Sequence, residues 1–229
     1  TYNLGEKSAM SSALDALFAA FPDNPPETDI SDKYFGDWLM RAEPGVTPLA
    51  LFRPRSSEEV SAAMKIATAH RLPVVPQGGL TGLTGGTVPS EGALLISMER
   101  MNRIEAVDPV SQTLTTQAGV PLEAIQIAAD EAGMLFPLDI GSRGTCQIGG
   151  NLSTNAGGVH VVRYGMMRDL VLGLEAVLPD GTVVSAMNTM LKNNAGYDVK
   201  QLFLGSEGTL GVITRLVLRL FPKPRSVST

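Results

Sequence analysis

Apolar residues recur at helical spacing over Ser11–Phe21, where Leu14, Leu17, Phe18 and Phe21 share one face until Pro22 stops the run. Pro22 to Asp32, with Pro25-Pro26, reads as an extended connector. The chain opens on Thr1, so the residues before Met10 are expected to be a leader end or a cloning remnant and are left out of the fold reading. From Pro48 the pattern changes. Leu49–Phe52 is a short apolar strand, and Ser56 with Glu59 has capping-box spacing ahead of a helix that runs to about Arg71. Val60, Ala63, Met64 and Ala67 form its buried face, and Val74-Val75 makes the next strand. Strand, helix, strand over so short a span predicts a parallel βαβ unit.

Further strands are predicted at Ala93–Met98, Arg103–Val107 and Thr113–Gln117. Pro121 opens a helix that Gly133 closes, and Leu174–Val184 is a hairpin turning on Asp180-Gly181. Thr209–Phe221 is a long β-rich run ending at Pro222-Lys223-Pro224, and no internal repeat interrupts the series. The fold class is mixed α and β in two lobes. The changeover is expected near residues 100–110.

Composition narrows the function. With 44% hydrophobic residues and 18% charged, the chain of 229 residues is a folding sequence and not a disordered tail. A formal net charge of -5 argues against a nucleic-acid surface. No apolar stretch reaches the roughly 18 residues of a membrane helix. One cysteine excludes an internal disulfide and leans towards a reducing compartment, cytoplasmic or the mitochondrial matrix. Two histidines and that cysteine leave little material for a zinc site.

Glycine marks the candidate chemistry. Pro76-Gln77-Gly78-Gly79-Leu80-Thr81-Gly82-Leu83-Thr84-Gly85-Gly86 follows directly on a strand. Without Cβ atoms the backbone can turn its amides to a ligand, as a phosphate cradle does. It is no nucleoside-triphosphatase loop, because no Gly-Lys-Ser/Thr follows, and it leads into a strand where a dinucleotide-binding Rossmann turn leads into a helix. Between Leu72 and Glu99 there is neither lysine nor arginine, so a phosphate here is held by amide dipoles alone. A second stretch, Phe136 to Gly158, can lay backbone groups along a flat polar heterocycle, and its one charged pair is Asp139 with Arg143. A third, Gly205–Thr214, opens the last strand, where glycine marks close approach by something else.

As a set, Pro76–Pro89, Cys146–Gly158, Arg163-Tyr164-Gly165, Lys192–Asp198 and Gly205–Thr214 resemble the FAD-binding domain of the vanillyl-alcohol oxidase and p-cresol methylhydroxylase superfamily. They look most like its D-2-hydroxyacid dehydrogenase branch, which spans D-lactate and D-2-hydroxyglutarate dehydrogenases and the glycolate oxidase D subunit. The likeness runs over about residues 38 to 225. It implies an α+β fold with a small parallel βαβ lobe at 48–108 and a larger, mainly antiparallel lobe with flanking helices at 109–222, after an N-terminal helical and extended segment, 1–47, and before a lead, 223–229, into a further substrate domain. It implies FAD between the lobes: Pro76 and Gly78, Gly79, Leu80, Thr81, Gly82 and Leu83 at the pyrophosphate. Pro137, Leu138, Ser142 and Thr145, with Gly149, Gly150, Asn151, Thr154, Ala156 and Gly158, would line the ribityl chain and ring. Glu207, Gly211 and Ile213 would meet the adenosine. Some relatives attach the flavin through a histidine in the first loop or a cysteine in the second. Here Leu80 stands at the histidine position and Cys146 reads as a small buried thiol, so non-covalent FAD is expected.

The resemblance also implies what lies elsewhere. Oxidising a D-2-hydroxy acid to the 2-oxo acid needs a base and cations for the carboxylate. In the resembling enzymes a histidine, in several with zinc, supplies these from a C-terminal substrate domain. The chain is therefore expected to be the flavin domain of a longer enzyme, with no catalytic residue or metal of its own. An electron acceptor (quinone, electron-transferring flavoprotein or cytochrome) completes the cycle. His70 reads as a helix-end residue, His160 as a partly exposed neighbour of Arg163, Lys192 beside Tyr197 as a surface lysine, and Arg163, Arg168 and Asp169 as a charge cluster. Alternatives are the flavin domain of a non-redox transferase of the ether-lipid synthase type and a non-catalytic flavin carrier.

Overall fold

Helix α1 (Leu4–Ala20) begins about two turns before the expected start, because nothing from Leu4 to Ser11 breaks a helix strongly enough, so part of the segment set aside before Met10 belongs to the fold. The structure, a computed structural model, describes residues 4–226; the end of the expected lead at 223–229 lies outside the described residues. Ala13, Leu17 and Phe21 are buried, Phe18 is not, and the Phe21 ring stacks on Phe52 with centroids 4.3 Å apart.

The first lobe is built on β1 (Ala50–Phe52), α2 (Ser57–Ala69), β2 (Val74–Gln77) and β3 (Leu94–Ser97). All strand pairs are parallel, but the order is β1-β3-β2, so β3 separates the two strands expected to form the unit. Leu94-Leu95-Ile96-Ser97 is buried throughout, and the central place of a parallel sheet suits such a run. Strand β2 also extends through Pro76 and Gln77. Only half of the predicted capping box forms: Ser56 Oγ accepts from the Glu59 amide at 3.3 Å, while Glu59 Oε2 accepts from the Arg55 amide at 2.8 Å and Asn24 Nδ2 at 2.9 Å.

The second lobe starts with β4 (Ile104–Asp108) and β5 (Thr113–Gln117), then α3 (Leu122–Glu131) and β6 (Met134–Leu135). Because β4 pairs with β5, the changeover falls before Ile104. Three short helices follow, α4 (Ile148–Ser153), α5 (Val161–Tyr164) and α6 (Met167–Leu170), then the hairpin of β7 (Val171–Val177) and β8 (Val183–Ala186). Its turn uses Gly181 at φ 82°, as expected of Asp-Gly. Helix α7 (Lys200–Phe203) precedes β9 (Val212–Arg219), and β10 (Phe221–Pro222) closes the described chain by pairing with β6. Five strands form one antiparallel sheet in the order β4-β5-β9-β7-β8. The run Thr209–Phe221 is therefore divided between two sheets.

One apolar core joins the lobes, with Phe52 and Ile96 from the first in a single cluster with Leu114, Ile125, Leu174 and Leu216 from the second. Polar groups on α2 lock the same seam. Ser57 Oγ donates to Glu175 Oε1 and Ser61 Oγ to the Gly181 carbonyl. Glu175 is buried on β7, and Thr214 Oγ1 at 3.0 Å and Arg215 at 3.5 Å complete its shell, as a buried carboxylate requires.

Candidate functional site

Between the lobes, the loop after β2 faces the start of α4 across an open cleft. Pro76, Gly78, Gly82, Thr84, Gly86 and Thr87 form one wall. Gln147, Gly149, Gly150, Ser153 and Thr154 form the opposite one, and Glu207, Gly208, Gly211 and Ile213 close an end. The glycine stretches meet, as a joint binding slot requires. Gly79 packs so tightly on the Thr145 carbonyl and Cys146 Cα that no Cβ fits, and Gly78 lies opposite Gln147 and Gly150.

The walls carry hydrogen-bonding capacity that the protein itself does not use. Among the described residues, the amides from Gly79 to Thr84, of which Gly82 and Thr84 line the cleft, donate to no protein acceptor, whereas Gly85 and Val88 are engaged. Gln77 Oε1, Thr87 Oγ1 and Gln147 Oε1 are buried without a partner and all three residues line the cleft. Buried polar atoms are nearly always paired, so an orphaned set around one cleft points to a polar ligand. Gly150 supports this from the steric side. It lies in α4, where glycine is a poor helix former, yet a Cβ there would touch nothing within 4 Å. Among the described residues no lysine or arginine lines the cleft, and the carboxylates are Asp37 and Glu207. A diphosphate with polar sugar and ring ends fits such a lining: loop amides for the phosphates, side-chain amides and Glu207 for the donors and acceptors at either end.

Of the residues singled out in sequence, Pro76, Gly78, Gly82, Gly149, Gly150, Thr154, Glu207, Gly211 and Ile213 come together here. The rest do not line the cleft. Leu80, at φ 57°, packs with the small cluster of Tyr34, Leu51, Ala93 and Leu95, while Leu83 is exposed. Thr81 stands between them on the loop. Leu138 is buried in the core and Pro137 borders a second cavity with His160, whose Nδ1 lies 3.0 Å from the Pro137 carbonyl. Ser142 and Thr145 sit in a turn closed by the Ser142 carbonyl. Asn151 and Ala156 are tied together by a backbone bond of 2.8 Å, and Gly158 is packed against Asp139. Gly211 is also explained within the chain, since a Cβ there would lie 2.5 Å from the Val177 carbonyl.

Asp37, Gln77, Thr87 and Gln147 are the residues that the sequence reading missed. A glutamine ending the apolar strand Val-Val-Pro-Gln was the available signal for Gln77. Asp37 had none, because its partner Gly85 lies 48 positions away. The stretch Phe136–Gly158, in which the sequence reading placed no helix, includes α4. The expected cluster of Arg163, Arg168 and Asp169 does not form. Arg168 binds Gln201 Oε1 and the Leu204 carbonyl, Arg163 covers the Tyr164 ring, and Asp169 accepts from the Met166 amide. Asp139 and Arg143 do pair, at 2.9 Å. Tyr197 is exposed, and Cys146 is buried within the main core. Neither known route of covalent attachment is therefore open: a leucine replaces the histidine, and the thiol faces packed side chains.

Comparison with known proteins bears on this cleft directly. A family profile described as "FAD binding domain" matches residues 48–187. D-2-hydroxyglutarate dehydrogenase of Xanthomonas citri pv. viticola is 47% identical over 193 residues, covering 84% of this chain and 40% of that protein. The mitochondrial D-2-hydroxyglutarate dehydrogenase of Bos taurus is 47% identical over 192 residues, 84% of this chain and 35% of that protein. Among solved structures, an alkyldihydroxyacetonephosphate synthase matches with TM-score 0.71 at 29% identity, covering 79% of this chain and 33% of that one. The chain thus spans well under half the length of these relatives. Among the described residues no helix is long and apolar enough to cross a membrane. Cleft, fold and profile agree, and the chain belongs to the FAD-binding-domain family.

Proposed function

We propose that this chain is the flavin-binding part of a D-2-hydroxyacid dehydrogenase, acting on an acid of the D-2-hydroxyglutarate or D-lactate type. The observation that carries the proposal is the inter-lobe cleft, with walls that carry no lysine or arginine among the described residues, free loop amides and orphaned amide oxygens. In this reading Gly78 and Gly82 bring the loop backbone to the diphosphate, and Gly150 leaves room for the ligand on the α4 side. Gln77, Thr87 and Gln147 take the polar edges, and Glu207 accepts from hydroxyl or amine donors. Bound flavin supplies the hydride acceptor for oxidising the 2-hydroxy acid to its 2-oxo acid. Among the described residues the cleft walls hold no histidine or lysine to serve as base or carboxylate clamp. Those roles fall to a further domain of the longer enzyme, and an electron acceptor reoxidises it.

Relatives named dehydrogenases at 47% identity favour this reading over the ether-lipid synthase type, at 29%. The compartment proposed is the cytoplasm, or the mitochondrial matrix in a eukaryotic source, in line with the mitochondrial names of the eukaryotic relatives. The test is an absorption spectrum followed by anaerobic addition of D-lactate and D-2-hydroxyglutarate. It is run on this chain and on a protein extended to the relatives' full length. Flavin in both, bleached only in the longer one, is the expected result. No flavin uptake by folded protein, or no bleaching by either acid, contradicts the proposal.

A further inference from the structure

Asp37 lies ahead of the stretch that the family profile matches, in a turn unremarkable by sequence. Its own amide donates to the Met40 carbonyl at 2.8 Å, and Oδ1 accepts the amides of Leu39 at 3.0 Å and Met40 at 2.7 Å. The other oxygen, Oδ2, accepts the Gly85 amide at 2.7 Å. Three bonds run beside this one. The Trp38 amide donates to the Gly82 carbonyl at 3.2 Å, and Gln77 Nε2 donates to the carbonyls of Tyr34 and Thr87, each at 2.9 Å. The segment 34–38 thus grips the glycine loop and the strand end leading into it at three places.

Such a brace has a physical purpose. Gly78, Gly79, Gly82, Gly85 and Gly86 give the loop more backbone freedom than any other residue type would, and a ligand that ordered it alone would lose affinity to that entropy. A carboxylate beside a diphosphate would ordinarily repel it, but the oxygens of Asp37 are covered by three amides. Burial alone would raise this carboxyl, and the amides of Met40, Gly85 and Leu39 outweigh it, holding the group below the ordinary carboxylate range.

We propose that Asp37 is the positioning residue of the cofactor loop, fixing residues 78–87 in the conformation that receives the diphosphate. The inference rests on the reading of the cleft as a flavin site. Asp37→Asn keeps an acceptor for the turn but sets a carboxamide NH2, itself a donor, against the Gly85 N–H. FAD affinity, from quenching of flavin fluorescence, is expected to fall about 5- to 150-fold, the effect of stranding one buried donor. Hydrogen exchange is expected to rise in residues 78–87 and to stay unchanged in β5 and β9, a local signature that general destabilisation would not produce. Asp108→Asn is the control, because Asp108 accepts turn amides of Val110 and Ser111 in the same way away from the cleft. Equal affinity and exchange in Asp37→Asn and wild type overturn the inference, as does equal loss in the control. A wild type that takes no FAD removes the flavin reading, and this inference with it. The apo wild type gives a check that needs no variant. The Gly85 amide should exchange slowly and those of Leu80 and Thr81 fast; fast exchange at Gly85 overturns the role.

Discussion

Gly150→Ala separates what the fold needs from what a ligand needs. Gly150 is the third residue of α4 and lies in the helical region, and a methyl group on it would meet no protein atom within 4 Å. For the protein alone the change is favourable, since alanine in place of a helical glycine is worth about 0.5–1 kcal/mol. At this chain length that corresponds to a melting point higher by roughly 1–4 °C without flavin. With flavin the sign reverses. Gly150 borders the cleft opposite Gly78, and a methyl group pressed into a filled slot costs about 1–3 kcal/mol, or about 5- to 150-fold in affinity. Thermal melting with and without FAD, together with a fluorescence titration, reads both numbers on one sample. A variant that is more stable and binds FAD as well as the wild type would refute the argument that Gly150 makes room for a ligand.

Gly79→Ala, by contrast, should damage the fold itself, because its Cβ would fall against the Thr145 carbonyl with backbone on both sides. About 1–3 kcal/mol should be lost in urea unfolding, and an unchanged midpoint would mean that the loops are not packed as described. Glu99 should give an acid limb to stability. Burial pushes its carboxyl up, but hydrogen bonds from Tyr34 and Arg53 and the charge of Lys33 prevail and hold it below its ordinary 4.5. A depressed folded value means that its contribution is complete above about 4.5 and is lost as pH falls through the folded value. Glu99→Gln should therefore flatten the fall in urea midpoint below that pH, and parallel acid curves would contradict it. All flavin should be recovered in the supernatant after acid precipitation, and a fluorescent protein band on a denaturing gel would show a covalent link.

Much of this was legible along the chain because it is locally encoded. Leu94–Ser97 and Thr113–Gln117 announce buried strands, and Ser56 announces the start of α2, since each signal needs only neighbouring residues. Helix α4 was not legible, because Gly149 and Gly150 weaken the helical signal and the helix is held by long-range contacts. The Gly149 amide bonds to the Ala118 carbonyl, and a Cβ on it would lie 2.6 Å from that of Ala118. The order β1-β3-β2 and the grip of Asp37 on Gly85 are likewise products of topology. Glycine content flagged the right loops but not which glycines serve the ligand. Gly79, Gly158 and Gly211 are required by neighbouring backbone, whereas Gly78 and Gly150 face open space or ordinary contacts.

The central claim is that amides without a lysine or arginine hold a diphosphate, and calorimetric titration with FAD and with riboflavin at low and high salt tests it most directly. The account predicts that FAD binds, that riboflavin, which lacks the diphosphate, binds far more weakly, and that FAD affinity changes little as salt rises, because no mobile ion pair is there to be screened. Riboflavin binding as tightly as FAD, or FAD affinity that falls steeply with salt, would contradict it.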